Sequence, residues 1–333
     1  MAVRGRRMEE IKVSRRRLGA NGPTVPVFAL GSWNTWDRMT GEEAVAIIDR
    51  AVETGAAFFD IAYYNMGPHE EHSRTDILFG EAIRASGHRR DDFMVCGKLW
   101  LWNYPELQFR EQIHTSLERS GLDRFDTVVV GDYFATPDMK RVVSEVNLLI
   151  DEGLIGSWGI NNWQLAHTEE ALAFASAEGL VPPSFAQLKY SVVRRAMAEG
   201  EGYGRLFASG ALGLQASDCL EGGILSGRGV PNRKIGADVG TIREQIYEIA
   251  PELARIAREF DATPVQLALA FCLENPATTN VLFGASRLQQ LEENLGALVL
   301  AERTKGRIRE ALPHLWLDRH VSPEGVWPGP KAG

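Results

Sequence analysis

The chain has 333 residues, 44% of them hydrophobic and 24% charged, the composition of an ordinary globular protein, and this length buries enough surface to need no disulfide or metal staple. A net charge of −8 gives nucleic-acid binding no electrostatic support, and no apolar run reaches the roughly 18–20 residues of a membrane span. Cys96, Cys219 and Cys272 are too far apart for a zinc or redox motif, so they read as core fillers in a reducing, cytoplasmic compartment, and no metal is expected.

Arg4, Arg6, Arg7 and Lys12 make residues 1–13 a basic tail. The following SRRR (14–17) has the look of a twin-arginine signal, but LGANGPTVPV (18–27) is not an apolar signal core, so a solvated tail is the expectation. RRLGANGPTVPV (16–27), with its Gly-Pro turn chemistry, is expected to form a hairpin closing the bottom of the domain. Short apolar, β-rich runs then alternate with amphipathic stretches. Strands are expected at 28–31, 57–61, 93–98, 125–130, 155–160, 185–190, 211–216 and 280–285. Helices are expected at 41–55, where Ala44, Ile47, Ile48 and Val52 share a face, and at 107–120, 138–152, 168–178, 243–260 and 263–275. The last has Thr263 as N-cap and Pro264 at its first position. Eight strand–helix units over residues 14–312 predict a single α/β domain, a (β/α)8 TIM barrel. The competing doubly wound sheet lacks its GxGxxG after the first strand. Residues 313–333, with Trp316, His320 and Trp327, form a Pro/Gly-rich tail that acts as a lid or a surface wrap.

Chemistry in such a barrel belongs where strands end at the C-terminal face. LGSWNTW (30–36), FFDIAYY (58–64), VCGKLW (95–100), SWGINNW (157–163), FAQLKY (185–190), GGILSGR (222–228) and VLFGASRLQQLEENLGAL (281–298) stand there in an order and spacing that resembles the aldo-keto reductases, particularly the potassium-channel β-subunit branch.

The resemblance implies NADP(H). Gly284, Ala285, Ser286 and Arg287 would wrap the adenosine phosphate, with a helix starting near Leu288 aiming its N–H groups at the anion. Arg287 would fork onto the 2′-phosphate, Gln290, Glu293 and Asn294 would serve adenine and ribose, and Asn161 and Gln187 would hold the nicotinamide carboxamide. Ser32, Trp33, Asp60, Leu220 and Gly222 complete the implied cofactor set.

The family's catalytic tetrad is Asp, Tyr, Lys, His. Asp60 and Lys98 match it. The tyrosine position falls on Asn65, so Tyr64, one residue early, is the expected acid, with Tyr63 next. The histidine position holds Gly131, followed by Asp132; His69 and His72 of the intervening loop are the alternative imidazoles, and their spacing is not that of a zinc site. Ser217 stands where the branch has an aromatic, and Asp218 needs a neighbouring cation such as Arg228 to tolerate phosphates. Trp33, Trp36, Trp100 and Trp102 offer an apolar substrate wall, with rim packing expected for at least two.

Three readings follow. The leading one is an NADP(H)-dependent oxidoreductase acting on a carbonyl, hydroxyl or imine of a small metabolite through Asp60, Tyr64 and Lys98. The second is a redox-neutral lyase, dehydratase or isomerase using Asp132. The third is a cofactor-sensing regulatory subunit. The expected partner is a small molecule, with a homo-oligomer left open.

Overall fold

The alternation of apolar runs and amphipathic stretches resolves into a closed ring of parallel strands in the computed structural model, which describes residues 11–64, 73–133, 137–229, 231 and 235–325. A two-stranded antiparallel hairpin, β1 (Arg15–Arg17) and β2 (Thr24–Pro26), precedes the barrel. The eight barrel strands are β3 (Phe28–Gly31), β4 (Phe58–Asp60), β5 (Met94–Trp100), β6 (Thr127–Gly131), β7 (Trp158–Asn161), β8 (Phe185–Lys189), β9 (Gly213–Ser217) and β10 (Thr278–Phe283), which pairs back onto β3.

Around them lie α1 (Gly41–Thr54), α2 (Thr75–Ser86), α3 (Phe109–Ser120), α4 (Met139–Asp151), α5 (Leu165–Glu178), α6 (Ala196–Glu199), α7 (Glu201–Ala208), α8 (Arg243–Glu259), α9 (Pro264–Leu273), α10 (Leu288–Thr304) and α11 (Arg307–Ala311). Their local grammar is visible in the chain. Thr40 caps α1 in a box with Glu43, and Gly55 ends that helix at φ 80°, a left-handed turn that suits glycine. Thr263 caps α9 in a box with Gln266, with Pro264 at the first position as expected.

The strand period places every second side chain inside the ring. At the bottom those side chains are Ala29, Phe58, Cys96, Val129 and Phe185, closed from below by Leu18 and Val25 of the hairpin. One step higher they turn polar, with Asp60, Lys98, Asn161, Gln187 and Gln215 all buried. The apolar plug keeps the bottom dry, and the polar layer opens upward toward the loops.

Two expectations need amending. Helix α2 was passed over, because the polar stretch before it hides the Phe79, Ala82, Ile83 face. The tail is a wrap over its described part. Asp318 accepts from the backbone of Arg195 and Ala196 at the start of α6, at 2.8 to 3.3 Å, and Glu324 O accepts from Leu165 N at 2.7 Å. No described tail residue lines the barrel mouth. Trp327, the basic residues Arg4, Arg6 and Arg7, Asn65, His69 and His72 lie outside the described residues. Among the described residues no helix is long and apolar enough to cross a membrane.

Candidate active site

Two adjoining cavities open on the C-terminal face. The inner one sits over the barrel axis and encloses about 1040 Å³ counted to its open mouth; Asp60, Tyr64, Lys98, Asp132, Asn161 and Gln187 line it together. The outer one, about 1060 Å³ on the same count, runs past Asn34, Arg38 and Ser226 to Ser286, Gln290 and Asn294 at the start of α10. Thr35, Leu220, Gly222 and Gly284 border both, so the two form one bent cleft.

At its inner end Lys98 Nζ lies 3.3 Å from Asp60 Oδ1, both side chains buried. Lys98 also donates to Gln187 Oε1 at 2.8 Å, and Gln187 Nε2 donates to Asp60 Oδ2 at 2.9 Å and to Gln215 Oε1 at 2.7 Å. Gln215 donates onward to Asn280 Oδ1 at 2.9 Å, and Asn280 to the carbonyl of Pro26 at 2.7 Å. A carbonyl can only accept, so that last bond fixes the direction of every amide above it. The ladder ends with an acceptor oxygen facing the Lys98 ammonium.

Tyr64 is buried beside this pair, its ring 6.4 Å from that of Trp33 and 5.8 Å from that of Trp100. In the same cavity the half-buried Asp132 accepts from Asn161 Nδ2 at 2.8 Å. Burial pushes its carboxyl up to about 6, against the opposing fields of Lys189 and Lys98. The folded protein therefore holds a proton between about pH 4 and 6 that the unfolded chain releases. The stability this confers is full below about pH 4 and is lost as pH rises through 6. Asp132→Asn should be more stable than the parent by ~1–2 kcal/mol at pH 7.5 and equal to it near pH 4, as read by urea unfolding.

At the outer end Arg287 is the N-cap residue of α10, and no side chain caps that helix. The Arg287 guanidinium is exposed, with no hydrogen bond or ion pair among the described residues. Gly284 faces Thr35 so closely that a Cβ would lie 2.8 Å from Thr35 Oγ1. Ser32 Oγ and Asn34 Nδ2 are buried without a hydrogen-bond partner among the described residues.

The profile of the Aldo/keto reductase family matches residues 28–312. The chain belongs to the aldo/keto reductase family. It is 30% identical over 304 residues to a rice (Oryza sativa subsp. japonica) protein named "Probable voltage-gated potassium channel subunit beta", covering 85% of this chain and 90% of the rice protein. It is 28% identical over 305 residues to the Arabidopsis thaliana protein of the same name, with the same coverage. An aldo-keto reductase of Klebsiella pneumoniae, solved in complex with NADPH, superposes with a TM-score of 0.73 over 95% of this chain and 99% of its own, at 18% identity. At that identity the likeness speaks for the fold.

Within this aldo/keto reductase the place of the histidine is crowded. A Cβ on Gly131 would lie 3.2 Å from the Trp100 ring and 3.3 Å from Asn161 Nδ2. Trp100 and Gly131 pair in register on neighbouring strands, so the indole covers the glycine. Gly131→His should lose ~1–3 kcal/mol in thermal unfolding and gain no turnover, and pairing it with Trp100→Ala should return most of that stability.

Several expectations change in detail. Gln187, expected on the nicotinamide carboxamide, donates both amide hydrogens to protein groups and keeps only a spare lone pair on Oε1. Asn161 is likewise turned onto Asp132. Glu293, expected on adenine or ribose, pairs with Arg228. Arg228 is therefore not the cation for Asp218. That cation is Lys189, whose Nζ lies 2.6 Å from Asp218 Oδ2 and 3.1 Å from the carbonyl of Ala237. Lys189, Arg38 and Asn34 were missed as site residues. Trp33 and Trp100 line the inner cavity. Trp36 packs in the core against Phe59 and Phe79, and Trp102 stacks behind Trp100 at 4.5 Å. Two of the four tryptophans are thus packing residues.

Proposed function

We propose that this protein is an NADP(H)-dependent oxidoreductase acting on a carbonyl, hydroxyl or imine group of a small molecule. The observation that carries the reading is the continuous cleft, which joins a buried Lys98–Asp60 pair at one end to an uncapped helix N-terminus with an unpartnered arginine at the other. The residues present suit a dinucleotide. Arg287 and the α10 N-terminus match a phosphate, Gly284 admits close backbone approach, and Ser32 and Asn34 hold buried polar atoms in want of a partner. Leu220 and Gly222 flank the bend, where the pyrophosphate would pass. The NADPH bound to the Klebsiella relative supports the same assignment. Bound there, the reduced nicotinamide would supply a hydride.

The chain's own residues would do the rest. Lys98 places a positive charge beside the reacting centre, and Asp60 with the amide ladder holds it there. Tyr64 would give a proton to a carbonyl oxygen, or take one from a hydroxyl, at the aromatic side of the mouth. Arg287→Ala should weaken NADPH binding ~10–100-fold and leave NADH binding within about threefold, as read by tryptophan fluorescence titration. Equal loss for both cofactors would contradict the 2′-phosphate role.

A redox-neutral reaction is the second reading. It is favoured by the raised Asp132 carboxyl, an acid or base poised near neutral pH at the mouth. Turnover without net cofactor change would select it.

A further inference from the structure

We propose that the substrate is a cation, a protonated imine whose neutral amine product takes up a proton from water to become an ammonium of the same charge, and that Asp132 is the counterion of both. This rests on the redox reading above and names its substrate class.

The first argument is the charge distribution of the mouth. Lys98 has its carboxylate in Asp60 at 3.3 Å, and Lys189 has its own in Asp218 at 2.6 Å. Asp132 receives only neutral amide hydrogens, from Asn161 at 2.8 Å and from the Asn162 side chain, and takes part in no ion pair among the described residues. Among the described residues three carboxylates thus face two ammonium groups, and the charge left over is the half-buried Asp132. A carboxylate withdrawn from water without a cation is costly. The fields of the two lysines fall on Asp132 already reduced by the carboxylates that hold them, so a cation standing there meets a net negative site.

The second argument is the aromatic wall of the same cavity. Tyr64 stands between Trp33 and Trp100, at 6.4 and 5.8 Å between ring centroids, and all three line the same cavity as Asp132. Aromatic faces attract cations, more strongly out of bulk water. A carboxylate sharing a cavity with such faces recognises an ammonium or iminium group, whereas a neutral carbonyl gains little from either.

The third argument is the crowded histidine space at Gly131. Hydride addition to a carbonyl leaves an oxyanion, which needs a proton from an acid. A protonated imine already carries its proton. Hydride adds at its carbon, the C=N π pair returns to nitrogen as a lone pair, and a neutral amine results while the reduced dinucleotide is oxidised. No protein group has to give up a proton, so a mouth short of one acid is no handicap. Tyr64→Phe should accordingly suppress reduction of a ketone while sparing that of an imine.

The test uses matched probes. Tetrahydroisoquinoline, a cation at neutral pH, and isochroman, its neutral oxygen counterpart, are titrated calorimetrically into the protein with and without NADP⁺. The proposal expects the cation to bind about tenfold tighter or better at pH 7.5, and Asp132→Asn to erase that preference without changing NADPH affinity. In the wild-type chain the preference should also fall below about pH 6, where Asp132 takes up a proton while the probe stays charged. That arm reads the same role if the variant folds poorly. The groups facing Asp132 are Lys98 and Asp60 from β5 and β4, Asn161 from β7, Lys189 and Asp218 beyond β8 and β9, and Tyr64. Equal affinity for the two probes, no binding of either, or a preference that survives Asp132→Asn overturns the proposal. Failure to bind NADPH, with the cation preference intact, would instead overturn the redox reading.

Discussion

Lys98→Met is expected to lower the rate of hydride transfer by about 10³-fold and to cost about 3–5 kcal/mol of stability. The two losses have one source. Asp60 is 2% exposed and sits 3.3 Å from the Lys98 ammonium, so removing the lysine leaves a buried carboxylate with only the Gln187 amide as a side-chain hydrogen-bond donor. The same substitution removes the cation held against Asp60 and frees the Gln187 oxygen at the head of the ladder that runs down to Pro26. The double variant Asp60→Asn/Lys98→Met separates the effects. It should recover most of the stability, because no charge is stranded, and none of the rate. Single-turnover oxidation of NADPH and guanidinium unfolding read the two quantities. A double variant as unstable as the single one would show that packing, not charge, is at work.

Arg194→Met should cost a similar ~3–5 kcal/mol and weaken NADPH binding by about tenfold. Arg194 is 4% exposed and reaches Glu221 at 3.1 Å, Asp238 at 3.3 Å and the carbonyl of Val239. Glu221, buried and at φ 48°, also accepts from Ser191 Oγ at 2.7 Å. The arginine thus ties the segment after β8 to the turn carrying Gly222 and to the loop and turn around Asp238. That stretch adjoins Ala237, whose carbonyl binds Lys189. Its loss strands Glu221 and loosens one border of the cleft. Arg194→Met/Glu221→Gln should restore stability more than binding, measured by urea unfolding and fluorescence titration.

Much of this was legible in the chain. The eight strands could be read because a barrel strand, covered by helices outside and side chains within, shows as an unbroken apolar run, as in Val128, Val129 and Val130. The segment from Gly284 to Asn294 was legible because close approach, helix start and arginine follow one another locally. What escaped were pairings across the barrel. Lys189 at the end of β8 reads as an ordinary solvated lysine until Asp218, 29 residues on, is seen beside it. The hold of Asp60, 127 residues away, on the Gln187 amide is equally invisible in the chain. Gly131 reads as a lost histidine until the Trp100 ring is found lying over it. Register between strands decides all three, and a strand's own sequence does not encode its neighbours' side chains.

The most direct test of the account is the absorbance of NADPH at the reduced-nicotinamide band, followed with the purified protein and a mixed panel of aldehydes, ketones and cyclic imines. The account predicts a substrate-dependent loss of that band, fastest with a cyclic imine, and a loss with ketones that Lys98→Met slows by about 10³-fold. A band that stays constant with every member of the panel, in a protein whose tryptophan fluorescence does not respond to NADPH, would contradict it.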